Sequence, residues 1–208
     1  MIKEFMIISF IGFFIGFLLY RYICRIDENN KKKYPKKFIE IITMVLFVIL
    51  YLRYGICLKY VKYITYICYL ITAGIIDFYT KKVYIKPFLI IFMIQVSYII
   101  IDAISGKQIL EYVLGGLVVG GLIYLIAYFT KAMGAGDGDI FLITGLLFGF
   151  EKAFLILTLS CILGSIIGLI IVMVRKKQLQ DSIPFIPIVS LTSLIVIILN
   201  VNFMNILQ

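Results

Sequence analysis

The chain has 208 residues, of which 63 % are hydrophobic and only 15 % charged, and its mean hydropathy is +1.11. Soluble domains hold about 45–50 % apolar residues, so this composition excludes a disordered chain, a soluble globular domain and a coiled coil. Lys and Arg outnumber Asp and Glu by 20 to 11, a net charge of +9; in a membrane chain such an excess reads as a topology signal, not as a nucleic-acid surface.

Apolar runs separated by polar breaks give the predicted elements in order. The first covers 5–22. Its weak basic start and the lack of an A-x-A-like cleavage site predict a retained span, not a signal peptide. A polar, lysine-rich stretch follows at 21–37, read as a short basic cytosolic loop. The next runs are 38–56, 60–79, 86–104 and 109–130. Then comes KAMGAGDGDIF, with Gly134, Gly136 and Gly138 alternating with other residues, ahead of a short run at 139–150. Two long runs, 152–174 and 184–205, end the chain. A span needs about 20 apolar residues. The run 139–150 is too short, which makes it a half-helix, a re-entrant piece or one arm of a hairpin with 152–174. The expectation is one all-α, polytopic membrane bundle over 1–208, with about eight hydrophobic segments and no soluble domain.

Lys and Arg orient these segments. With the N-terminus outside, the inner loops hold fourteen of the twenty, from Arg21 through Lys37, then Lys81, Lys82, Lys86, Lys131 and Arg175 to Lys177. Lys3, Arg53, Lys59, Lys62, Lys107 and Lys152 make six outside. This predicts eight crossings with both termini outside. If 139–150 does not cross, Arg175 to Lys177 fall on the disfavoured side.

The chain has no His, so His-based acid–base chemistry and His-ligated metal are excluded. It has no Trp, so tyrosines must supply any aromatic belt. Cys24, Cys57, Cys68 and Cys161 include no CxxC pair, so no zinc knuckle or dithiol is encoded locally. Cys68 and Cys161 are expected to pack inside their runs.

Eleven acids can be weighed singly. Glu4, Asp27, Glu28, Glu151 and Asp181 read as solvated loop residues, and Glu40, Asp102 and Glu111 as structural acids at span ends. Asp77 ends an otherwise uncharged stretch at the inner end of the third span, where pairing with Lys81 at i+4 competes with a functional role. Asp137 and Asp139 stand among the glycines, and Asp139 could cap the next helix. The loop is not a phosphate loop of the G-x-x-x-x-G-K-[ST] kind, nor an EF-hand. The charge-derived orientation puts Asp77 and Asp137 on one face. Two carboxylates within hydrogen-bonding reach share one proton. One can then serve as base on water while the other polarises a peptide carbonyl, and such chemistry needs no His, Cys or metal.

The segment Gly134-Ala135-Gly136-Asp137 beside a span, with Asp77 at an earlier span end, resembles the GxGD membrane aspartyl proteases, and among them the type IV prepilin peptidases. Gly12-Phe13-Phe14 through Tyr20-Arg21 is similar to that family's first span. Tyr34-Pro35, Glu40 to Thr43, Leu46-Phe47 and Leu52 to Gly55 resemble its YP…ELLT…LF…LRFG segment. Met133 to Asp137 resembles MGxGD, and Ile183 to Pro187 (IPFIP) resembles IPFGP. The resemblance implies catalytic Asp77 and Asp137 in an aspartic endopeptidase of the inner membrane. It implies cleavage of the basic leader of a prepilin-like, membrane-anchored substrate at the cytoplasmic face, with Gly134, Gly136 and Asp139 in the active-site loop. Gly134 and Gly136 would let the substrate backbone approach Asp137.

Three departures matter. The family's larger members carry two CxxC pairs in the first loop, where this chain has only Cys24, so no metal site is expected. Asp139 replaces the usual Lys and reverses the local charge. The usual D-x5-I-P-N becomes Asp77 with Val83-Tyr84-Ile85, lacking the Pro. Many members also methylate the new N-terminus with S-adenosylmethionine; with the large loop gone, peptidase activity alone is expected, and no cofactor for it. Two other classes remain open. One is a broader GxGD intramembrane protease of the preflagellin-peptidase kind. The other is a small proton- or cation-coupled transporter using the same acids, against which stand their edge position and the lack of paired half-repeats.

Overall fold

A computed structural model describes residues 2–130, 134–175 and 184–200, and every regular element among them is helical. The elements are α1 (Ile2–Ile26), a 3-10 turn (Glu28–Lys33), α2 (Lys36–Tyr54), α3 (Leu58–Thr80), α4 (Ile85–Ile104) and α5 (Leu110–Gly115). A π-helical segment (Gly116–Gly120) joins α5 to α6 (Gly121–Thr130), and then come α7 (Ala135–Phe148), α8 (Phe150–Arg175) and α9 (Ile186–Leu199). Five helical stretches are long and apolar enough to cross a membrane: Lys3–Ile26, Leu58–Thr80, Ile85–Ile104, Leu110–Thr130 and Phe150–Ile171.

α3 is the central post. In its apolar window 61 % of residues are buried, against 22 % in α1, α4 and α8. Tyr63, Tyr66, Ile67, Leu70, Ala73 and Asp77 recur at the three- and four-residue spacing that puts side chains on one helical face. That face packs on α2, α4 and α9. The Tyr66 hydroxyl joins Thr144 of α7 at 2.7 Å and Ser193 of α9 at 3.1 Å. Interhelical hydrogen bonds of this kind average about 0.6 kcal/mol in membranes. Here one hydroxyl sets three helices in register.

α7 is the short run, and its 14 residues span about 21 Å at 1.5 Å each, less than the roughly 30 Å hydrocarbon core. It starts four residues earlier than the expected 139–150, so Asp137 belongs to its first turn and Asp139 to the next, not to a preceding loop. From Gly138 to Phe148 no residue is exposed and most are buried in protein, the condition under which a short helix is tolerated at membrane depth. Small residues make this enclosure possible. A Cβ on Gly145 would lie 2.2 Å from the Gly115 carbonyl carbon, and one on Gly120 would lie 2.9 Å from Leu142. The α5–π–α6 rod therefore packs backbone to backbone on α7.

Other expectations change at the first loop and among the acids. α1 runs on to Ile26, so the loop read as 21–37 shrinks to the segment between α1 and α2. Asp27 is not solvated: it is 4 % exposed and accepts hydrogen bonds from Tyr34 Oη at 2.5 Å and from Asn30 Nδ2. Glu4 lies in the first turn of α1, where it accepts the Tyr51 hydroxyl at 2.7 Å, and Glu151 lies in the first turn of α8. Asp102 is structural as expected, being paired with Lys62 and with Lys107, the latter at 2.9 Å. Glu40 is buried and pairs with Lys36 at 3.8 Å. Cys161 is exposed instead of packed within the bundle. Asp181 and Lys131 to Met133 lie outside the described residues.

Candidate active site

Asp77 sits on the last turn of α3, buried, with 8 % of its surface exposed. α3 stops there because Lys81 turns left-handed (φ 54°) and gives its N–H to the Asp77 carbonyl at 2.8 Å. The Asp77 carboxylate is not held by an ion pair with Lys81, which acts on it only as a nearby charge. Its Oδ2 instead accepts the backbone N–H of Ile186 at 3.1 Å. Ile186 is the first residue of α9, where the N–H groups of a helix lack partners within the helix and the dipole favours an anion. Pro187 follows and has no N–H to offer. Ile186 thus delivers a helix-terminal donor to the Asp77 carboxylate.

Asp137 is the third residue of α7, after the N-cap Gly134. Its Oδ2 accepts the Gly134 N–H at 3.0 Å while its own N–H donates to the Gly134 carbonyl at 3.0 Å. This is the return half of a capping box. Asp137 therefore anchors the helix start, and Asp139 does not cap it. Asp139 accepts the hydroxyl of Tyr124 on α6.

The structure brings Asp77 and Asp137 to the same end of the bundle: Val83, six residues after Asp77, packs on Gly136, the neighbour of Asp137. The segment after α3 closes over the same place. A Cβ on Gly136 would meet Val83 at 2.4 Å, and one on Gly138 would meet the Tyr124 ring at 2.9 Å. Gly136 is therefore required by packing within this chain. At Gly134 a Cβ would find only ordinary contacts, the nearest being Asp137 Oδ2 at 3.7 Å.

An apolar groove of about 510 Å³ runs between α2, α3 and α9. Gly74 and Phe78 in its wall flank Asp77 along α3, and Pro187 adjoins Ile186. Among the described residues no group of three or more His, Cys, Asp or Glu is clustered for a metal ion.

Sequence reasoning missed the partners of these acids. Ile186 acts through its backbone, which leaves no mark on residue type. Tyr124 lies 15 residues from Asp139 on another helix, and only its place on an otherwise apolar stretch hints at a polar partner.

A helical bundle with five helical stretches long and apolar enough to cross a membrane, and with Asp77 and Asp137 at one end, defines a polytopic membrane protein. Residues 64–169, half of the chain, match the model of the type IV leader peptidase family. The chain belongs to that family and is a peptidase, a hydrolase of peptide bonds. The match includes Asp77 and Asp137 but ends before Ile186. No curated protein and no solved structure matches the chain.

Proposed function

We propose that Asp77 and Asp137 are the catalytic pair of an aspartic endopeptidase that cuts the basic leader from a type IV prepilin-like, membrane-anchored substrate at the cytoplasmic face of the inner membrane. The reading is supported by the placing of both acids at one end of the bundle, each held by a backbone N–H, with Val83 after α3 packed on Gly136 beside Asp137. With one proton between them, the ionised carboxylate takes a proton from water as the water oxygen attacks the scissile carbonyl carbon. The protonated carboxyl donates a hydrogen bond to the carbonyl oxygen. Collapse of the tetrahedral intermediate breaks the C–N bond, and the leaving amine takes a proton from the pair.

The apolar groove beside Asp77 supports a substrate that presents an apolar helix just beyond the cleaved bond. The leader side would reach the aqueous end of the bundle. The proposal covers peptidase activity alone; S-adenosylmethionine belongs to it only if the new N-terminus is also methylated.

The test is co-expression with a prepilin-like protein, followed by a blot for the processed form. Wild type cleaves, whereas Asp77→Asn and Asp137→Asn insert into the membrane and do not. Wild-type cleavage by Asp137→Asn would sink the assignment. A transporter using the same acids would leave the prepilin unprocessed.

A further inference from the structure

The acid two residues beyond Asp137 is gripped by a helix that contributes nothing to the pair itself. The Tyr124 hydroxyl donates to Asp139 Oδ1, and the ring of the same tyrosine fills the space where a Cβ on Gly138 would stand. Two contacts from one side chain thus clamp α6 to the first turn of α7.

Residues two apart on a helix point roughly 160° apart. Tyr124 therefore holds one side of the helix start while Asp137, bonded back to Gly134, lies on the other. Val83 closes the turn against Gly136. The turn is wedged between α6 and the segment after α3.

The position of Tyr124 is itself set by the π-helical segment Gly116–Gly120 just upstream. One extra residue in that turn rotates the downstream residues of α6 by about 100°. Gly115, Gly116 and Gly120 press the rod onto α7. Tyr69 of α3 is also buried, with 5 % of its surface exposed, and its hydroxyl has no hydrogen-bond partner among the described residues.

We infer that Tyr124 and Asp139 are a positioning pair, whose hydrogen bond fixes the first turn of α7 so that Asp137 meets Asp77. The inference rests on the reading that Asp137 is catalytic. It assigns Asp139 no proton transfer to substrate or water. A device that orients a catalytic group acts on turnover and leaves binding of the substrate helix unchanged.

The experiment measures kcat and KM separately for the full chain in detergent. The probe is a model prepilin-like substrate with a basic leader and an apolar helix after the cut. Tyr124→Phe and Asp139→Leu each lower kcat about tenfold with KM within about twofold, as expected for a displaced catalytic group. Asp139→Asn keeps an oxygen that accepts from Tyr124 and stays within about threefold of wild type. The double variant Tyr124→Phe/Asp139→Leu falls no further than the worse single one, because both remove the same bond.

Full kcat in Tyr124→Phe, losses that multiply in the double variant, or an Asp139→Asn as inactive as Asp77→Asn would each overturn the inference. Asp137→Asn, assayed in parallel, separates the two levels. If Asp137→Asn cuts normally, the catalytic assignment fails and the inference with it. If Asp137→Asn is inactive while Tyr124→Phe is unimpaired, only the positioning role fails.

Discussion

The Asp77 carboxylate accepts the backbone N–H of Ile186 at 3.1 Å. One hydrogen bond thereby ties the last turn of α3 to the first residue of α9. The same acid then has two separable duties, which substitutions can divide. In Asp77→Asn the amide oxygen still accepts from Ile186, so the bundle stays intact. The side chain can no longer exchange a proton, and cleavage falls at least ~100-fold, the lower bound for loss of a general acid or base. Asp77→Ala also leaves the Ile186 N–H without a partner, which costs about 1–3 kcal/mol. Thermal unfolding in detergent should place Asp77→Asn near wild type and Asp77→Ala clearly below it. Equal melting of the two variants would show that the bond carries no stability.

Gly136 gives a packing test of the motif. An added Cβ would stand 2.4 Å from Val83 Cγ2, with the Val83 Cβ at 2.5 Å. Gly136→Ala therefore forces the 81–84 segment outward, and overpacking of this kind costs about 1–3 kcal/mol. Val83→Ala alone loses little, because Val83 is only partly buried. Combined with Gly136→Ala it restores room and recovers part of the loss in Tm. If the glycine served only substrate approach, Val83→Ala would rescue nothing.

Much of this was legible in the chain itself. The apolar runs reappear as helices among the described residues, and five helical stretches are long and apolar enough to cross a membrane, where a helix satisfies its own backbone. GxGD and Asp77 were visible as acids where acids are rare. The start of α7 was not, since glycines read as a loop until Asp137 is seen bonding back to Gly134. Nor was burial of Asp27 readable, because a polar, lysine-rich stretch gives no sign that Tyr34 will fold over one of its acids. Contacts between distant helices, such as Tyr124 with Asp139, carry no local period at all.

The Asp27–Tyr34 bond predicts a pH-dependent stability. Tyr34 is 4 % exposed and packs edge-on against Tyr79 at 5.6 Å. Burial first, and then the bond to Asp27, push its phenol above the ordinary tyrosine range. A group whose pKa rises on folding adds stability that is full below its unfolded value and lost as the pH climbs toward the folded one. Tyr34→Phe should therefore cost about 2 kcal/mol near neutral pH, as for a hydrogen bond to a charged acceptor. Above about pH 10, where the unfolded phenol ionises, the gap from wild type should narrow. Melting of both proteins from about pH 7 to about pH 11 tests this, and a gap that widened with pH would contradict it.

At the opposite end of the bundle, Asp102 joins Lys62 of α3 and Lys107 after α4. The two lysines are not equivalent. The Lys62 side chain is 14 % exposed and the Asp102 side chain 10 %, whereas Lys107 is 57 % exposed. Water and salt screen the Lys107 pair, as at any exposed ion pair. Lys62→Ala leaves a buried carboxylate with only that screened partner, and a broken buried pair costs roughly 3 kcal/mol. Lys107→Ala should lower Tm far less, and raising the salt should shrink its effect further. Because this cluster lies away from Asp77 and Asp137, the fraction of Lys62→Ala that remains folded should cleave with unchanged kcat. A fall in kcat without a fall in Tm would show instead that the Lys62–Asp102 pair acts on the acid pair at the far end of α3.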